Sequence, residues 1–170
     1  MGGSESRGYP DQRFFSYPQS PTSPAGPVRA VMSRTVSEKM GIKAGTRAIF
    51  VNAPEAARGS IDPPSLDVAS ELVGEFDYIH LFARTHTELD DTFPKLKAHL
   101  GPTGMLWVSW PKNKKLGTDL ALPKVIEIGY NHGLVESKTL SVDATWSALK
   151  FTHPKKGKVY NNSYGRHSSR

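Results

Sequence analysis

The chain contains no cysteine. Disulfides, thiolate zinc sites, iron–sulfur clusters and a cysteine nucleophile are thereby excluded, and a reducing compartment fits. Long apolar runs are also missing. Ile79 to Ala83 and Met105 to Val108 fall far short of the ~20 residues that cross a bilayer. Met1 to Val28 lacks the apolar h-region of a signal peptide, so the expectation is a soluble, cytoplasmic protein without a membrane partner. No phosphate loop of the Gly-x-x-x-x-Gly-Lys-Ser/Thr type occurs, and no Gly-x-Ser-x-Gly elbow presents Ser109 or any other serine. The six histidines, His80, His86, His99, His132, His153 and His167, form no His-x-x-x-His pair or carboxylate cluster of metal spacing, so no metal is expected. His80 lies inside a strand and reads as a hydrogen-bonded packing residue.

The C-terminal stretch is basic without any acidic residue. His153 to Arg170 carries Lys155, Lys156, Lys158, Arg166 and Arg170 with no Asp or Glu, whereas Ser33 to Thr152 holds fourteen basic and fourteen acidic residues. The formal charge of +6 therefore belongs largely to the C-terminal tail. Tyr160, Asn161, Asn162 and Tyr164 interleave with those cations, a composition suited either to stacking on bases and contacting phosphates or to plain solvation.

What is present divides the chain in three. Residues 1–32 are rich in Pro, Ser and Gly and read as a disordered extension: a linker, or an over-extended start with Met32 as the true initiator. Tyr9, Phe14, Phe15 and Tyr17 are its only anchors for a partner. Residues 33–153 alternate strand and helix, and residues 154–170 read as a disordered basic tail. Within the centre, Ser33 caps a short helix to Met40 with Gly41 at its end, and a strand spans Thr46 to Asn52. A Pro-rich connection (Pro54, Pro63, Pro64) leads to a short strand over Leu66 to Ser70 and a firmer one over Phe76 to Ala83. Thr85 and Glu88 form a capping-box signature for a helix presenting Leu89, Phe93, Leu96 and Leu100 on one face, which Pro94 should kink or divide. Gly101-Pro102-Thr103-Gly104 then releases a buried strand, Met105 to Trp110, that ends at Pro111-Lys112-Asn113. Pro123 opens the next helix and Gly133 closes it. Leu134 to Val142 and Trp146 to Thr152 form a hairpin around Asp143-Ala144-Thr145.

This order predicts a three-layer α/β, Rossmann-like domain: a mostly parallel sheet with one antiparallel hairpin strand at an edge. It resembles a reduced class I methyltransferase fold, Phe76 to Phe82 matching the fourth strand and Gly104 to Ser109 the fifth. A closer resemblance runs through Gly41-Ile42-Lys43-Ala44-Gly45, Val51-Asn52-Ala53-Pro54, Leu106 to Lys112, Thr118-Asp119-Leu120 and Asp143 to Phe151. These motifs, over about Thr35 to Thr152, are similar to a bacterial family, domain of unknown function 3052. The resemblance implies a small Rossmann-like fold and transfers no catalytic residue.

A methyltransferase of this class places an acidic residue and Gly-x-Gly after its first strand. This chain has Asn52-Ala53-Pro54-Glu55-Ala56-Ala57-Arg58-Gly59, so neither S-adenosylmethionine in its usual pose nor a dinucleotide is expected. Ligands in open parallel sheets bind beyond the carboxyl ends of the strands. The candidate ligand-binding residues are therefore Asn52, Pro54 and Glu55; Arg84; Trp110, Lys112 and Asn113; Thr118 and Asp119; and, from the last strand, Trp146 and Lys150. Lys150, between apolar neighbours, should find a carboxylate, with Asp143 and Asp119 as candidates. Aromatic rings, arginine and lysines together suit a small anionic ligand or a protein partner, and no catalytic constellation is evident. Two alternatives stay open: a methyltransferase-like enzyme with an atypical cofactor loop, and a nucleic-acid-associated protein acting through the basic tail.

Overall fold

The computed structural model describes residues 34–162 and 165–168. The N-terminal extension, Ser33, Tyr164 and Arg170 lie outside the described residues, as do the readings that rest on them.

The first helix, α1 (Val36–Met40), is capped by Thr35, not by Ser33. The Thr35 hydroxyl accepts from the Glu38 amide while the Glu38 carboxylate accepts from the Thr35 amide, a reciprocal box that satisfies two orphan donors. Gly41, at φ 82°, closes the helix in the left-handed region where a Cβ would be strained. Strand β1 (Arg47–Val51) follows, and then a helix that sequence reading took for a connection, α2 (Glu55–Ile61). Its Gly and Ser weaken propensity, but Ala57 and Ile61 are fully buried, and that packing sustains it. Strand β2 is reduced to Asp67–Val68.

Strand β3 (Phe76–Phe82) is buried except at Asp77. Helix α3 (His86–Lys97) carries Leu89, Phe93 and Leu96 inward as expected and runs unbroken through Pro94. Burial of that apolar face outweighs the one backbone hydrogen bond proline removes. Leu100 is not part of the helical face; it opens strand β4 (Leu100–Pro111) and pairs with Phe76. Helix α4 (Leu122–Asn131) has Pro123 in its first turn and leads through Gly133, φ 92°, into β5 (Val135–Ser141) and β6 (Trp146–Thr152).

The strands form one sheet in the order β2-β1-β3-β4-β6-β5. β2, β1, β3 and β4 are mutually parallel; β6 is antiparallel to both β4 and β5. The antiparallel strand is thus inserted between β4 and β5, where both of its edges are paired, and the outermost position falls to β5. That corrects the expected placement at an edge. β6 alternates Trp146 and Ala148 toward one face with Leu149 and Phe151 toward the other, so it can fill two cores, whereas β5 is mostly exposed.

Two apolar clusters flank the sheet. α3 and α4 cover Ile79, Leu81, Leu106, Val108, Leu149 and Phe151. α1 and α2 cover Ala48, Tyr78, Phe82, Trp107, Trp146 and Ala148. The protein is a three-layer, Rossmann-like α/β domain with a mostly parallel sheet. Beyond it, where the sequence suggested a disordered tail, the chain forms a small separate hairpin, β7 (Val159–Asn162) with β8 (Gly165–Ser168). Tyr160 packs against the larger core, which supplies the apolar anchor that composition alone undervalued. No described helix is long and apolar enough to cross a membrane.

Candidate functional site

Two openings lie at the carboxyl rim of the parallel strands, each with a residue of β6 in its lining. The larger is a groove of about 580 Å³ at the end of β4. Trp110, Leu120, Leu122 and Leu140 give it apolar walls, and Lys112, Asn113, Lys114, Ser141 and Ser147 give it polar ones. No Asp or Glu lines it.

Its shape is set by the segment after β4. Residues Lys112–Gly117 form tight turns broken by a kink, in which Asn113, Lys114 and Leu116 hold φ of 52°, 60° and 56°. Side chains seldom occupy that region, and ties to the β5–β6 turn hold the segment there. The Lys112 amide donates to the Thr145 carbonyl at 2.7 Å, the Lys112 ammonium to the Ser141 hydroxyl at 2.5 Å, and the Lys115 ammonium to the Ala144 carbonyl at 2.9 Å. Asp143 fixes the turn itself, its Oδ1 accepting from the amides of Thr145 and Trp146 at 2.8 Å each. Both lysine acceptors are neutral, so the ammonium charges are oriented without being cancelled. The α4 first turn borders the groove through Ala121 and Leu122 and contains no acidic residue.

The smaller opening, about 370 Å³, lies where the strand order reverses between β1 and β3. Asn52, Pro54, Phe82, Arg84, Glu88 and Trp146 line it. Phe82 and Trp146 meet edge to face, ring centroids 5.0 Å apart. Glu88 Oε1 accepts from the Arg84 amide at 2.9 Å and Oε2 from the Asn52 amide group at 3.3 Å, joining the two strand ends.

The candidate residues therefore separate. Trp110, Lys112 and Asn113 meet in the groove; Asn52, Pro54, Arg84 and Trp146 meet in the crevice. Thr118 and Asp119 line neither. The Thr118 hydroxyl donates to the Arg84 carbonyl at 2.5 Å and accepts from the Leu120 amide, while Asp119 accepts from the His86 amide at 2.7 Å. They clamp the start of α3 to the approach of α4. Glu55 is exposed in the first turn of α2. Lys150 lies within β6 opposite Trp107 and Lys138, away from the rim, and makes no ion pair with Asp143 or Asp119, whose carboxylates are engaged by backbone amides.

Sequence reading missed Phe82, Glu88, Leu120, Ser141 and Ser147. Glu88 was read as the partner of Thr85 in a capping box, but its carboxylate accepts from the Arg84 amide instead, and only the β1–β3 pairing brings Asn52 to it. His80 is the hydrogen-bonded packing residue that its place in a strand suggested, and the fold supplies its partners. Tyr78 Oη and His80 Nδ1 are 2.7 Å apart, and His80 Nε2 and Ser109 Oγ are 2.7 Å apart, all three side chains being buried. Burial pushes the His80 imidazole down to about 3 and holds the Tyr78 hydroxyl protonated. The neutral ring owns one N–H, so it donates one of these bonds and accepts the other. With no exposed surface on His80 or Ser109, the pair serves the core and presents no nucleophile.

The crevice is where a nucleoside cofactor lies in doubly wound sheets, and its residues do not suit one. Asn52 takes φ 60° while carrying a side chain that spans the opening to Glu88. Pro54 offers no amide, and Glu55 places a carboxylate at the α2 N-terminus. Gly59 is the only glycine of that segment, and a Cβ added to it would meet nothing within 4 Å, so it marks no close approach of backbone to a ligand or neighbour.

No protein-family model matches the chain, and no curated protein matches its sequence. Among solved structures it is similar to a TehB-like SAM-dependent methyltransferase from Corynebacterium glutamicum, at 11% identity over 69% of this chain and 85% of the other, TM-score 0.44. It is similar also to magnesium protoporphyrin IX methyltransferase from Synechocystis with bound SAH, at 11% identity over 70% and 78%, TM-score 0.45. A methyltransferase from Pyrococcus furiosus matches at 14% identity over 68% and 79%, TM-score 0.45. Likeness at this level carries no argument about activity, and the fold assignment stands on the strand order.

Proposed function

We propose that this protein is a ligand-binding Rossmann-like domain that takes a small anionic molecule in the groove at the end of β4. One observation carries the reading: Lys112 and Lys114 line a groove without a single carboxylate, and the Lys112 ammonium is held by a neutral hydroxyl. An anion there gains a charge-assisted hydrogen bond from a pre-oriented lysine, while Trp110, Leu120 and Leu140 receive its apolar part. The Lys112 ammonium donates to the Ser141 hydroxyl and Lys114 lines the same groove, an arrangement that presents positive charge to a ligand. Binding is the function proposed. The motifs that resemble domain of unknown function 3052 converge on this rim, at Val51 to Pro54, Trp110 to Lys112 and Asp143 to Trp146, and membership of that family is part of the proposal.

The test is a thermal-shift screen of the full chain against phosphorylated and carboxylated metabolites, nucleotides, S-adenosylmethionine and its demethylated product. Ligand at a hundred times its dissociation constant adds ~2.7 kcal/mol. A shift produced by an anion and lost in both Lys112→Ala and Lys114→Ala supports the proposal. A panel without a shift, or one unaffected by either substitution, overturns it. A shift with S-adenosylmethionine alone would favour the methyltransferase-like alternative.

A nucleic-acid role for the C-terminal segment has one observation in its favour: the Lys158 ammonium lies 4.9 Å from the centroid of the Tyr160 ring, and Lys155 and Lys156 are exposed beside it. That reading requires affinity for single-stranded nucleic acid that falls steeply with salt and disappears on removing residues 155–170.

A further inference from the structure

The crevice between β1 and β3 holds one cation and one anion that do not neutralise each other. Among the described residues, Arg84 and Glu88 form no ion pair with one another or with any other side chain. Glu88 is held in place by neutral groups. Its own amide donates to Thr85 Oγ1 at 3.0 Å, and its carboxylate accepts from the Asn52 side chain and from the Arg84 amide. A carboxylate offers about four acceptor positions, so two remain. Arg84 is exposed at the mouth, fixed at its backbone by the bonds of its amide to Glu88 and its carbonyl to Thr118, while its guanidinium is uncommitted. Phe82, Trp146 and Pro54 line the same opening and give it an apolar part.

We propose that this crevice is a second ligand site, separate from the β4 groove, that binds a small zwitterion of the free α-amino-acid type. Its carboxylate pairs with Arg84, whose planar fork suits bidentate contact. Its ammonium donates to Glu88, and its side chain rests on the Phe82–Trp146 corner. A ligand bearing only one charge would gain only one of the two charge-assisted contacts, which is the basis of selection. At about 370 Å³ the opening has room for a molecule of that size.

The test uses the full chain and the standard amino acids at millimolar concentration, followed through the Trp146 indole N–H resonance, which Trp146→Phe assigns. At least one amino acid should shift that resonance saturably. For an aliphatic binder such as L-leucine, the two half-ligands, 4-methylpentanoate and 3-methylbutylamine, should bind at least about tenfold more weakly, as should L-leucine to Arg84→Gln. Glu88→Gln retains an acceptor for the Arg84 amide and should show the same loss with an unchanged amide spectrum. If Glu88→Gln disturbs the α3 cap, Arg84→Gln decides alone, because the Arg84 side chain makes no hydrogen bond or ion pair among the described residues. No response from any amino acid, or undiminished binding in Arg84→Gln, overturns the proposal. Lys112→Ala should leave this binding intact, so failure here and failure of the groove reading are separable.

Discussion

Acidification should destabilise this protein through His80. The ring has no exposed surface, stacks on Phe82 at 4.4 Å, and is bonded at both nitrogens. Its folded-state value is pushed down to about 3 by burial, while in the unfolded chain it takes its ordinary value of 6.5. The folded value is the lower one, so on acidification the unfolded state binds the proton first. Stability from this group is full above the unfolded value and is lost as pH falls from there toward 3. Between pH ~7.5 and ~4.5 the linkage amounts to about 2.6 kcal/mol, which in a chain of this length moves the midpoint by roughly 5–10 °C. Carboxylates also titrate in this range, and His80→Asn provides the control. The variant should be less stable at neutral pH by ~1–3 kcal/mol, having lost matched bonds to Tyr78 and Ser109. Its pH slope should lack the histidine contribution, so the gap between the two proteins narrows on acidification. Urea unfolding of both across the range measures that gap, and the imidazole resonances report the folded-state titration directly. A gap that stays constant, or a His80 ring that titrates near 6 in the folded protein, would refute the reasoning.

Gly129→Ala should cost ~3 kcal/mol or more in urea unfolding, because a Cβ there would stand 2.0 Å from Phe151 Cε1 in a core that cannot move aside. Gly59→Ala, with open space around the added methyl, should instead be neutral or stabilise α2 by up to ~1 kcal/mol. Thr118→Val removes both the donor to the Arg84 carbonyl and the acceptor of the Leu120 amide, with an expected loss of ~1–3 kcal/mol and earlier hydrogen exchange at Leu120.

Local rules were legible where neighbours in sequence decide the outcome. Thr85 capped α3, although the Glu88 carboxylate takes the Arg84 amide and not the Thr85 amide of a full capping box; Pro123 and Gly133 bounded α4, and Asp143 formed the turn, because caps and turns close over three or four residues. The misreadings occurred where burial overrode propensity. α2 forms despite Gly59 and Ser60 because Ala57 and Ile61 are packed, and α3 continues through Pro94 because Phe93 and Leu96 are anchored in the core.

The sequence by itself determined the alternation of strands and helices, the two-faced pattern of β6, and the residues that follow each strand, since periodicity and end signals are properties of the linear chain. Tertiary structure alone decided which of those residues share a site. Inserting β6 between β4 and β5 placed Trp146 and Ser147 beside two different openings, carried Lys150 away from the rim, and brought Ser141 under Lys112. Pairing of β1, β3 and β4 delivered Asn52 to Glu88 and Ser109 to His80 across 36 and 29 residues of chain. The physical reason is that strand order and register are selected by burial of the whole sheet on both faces, a condition no short segment carries.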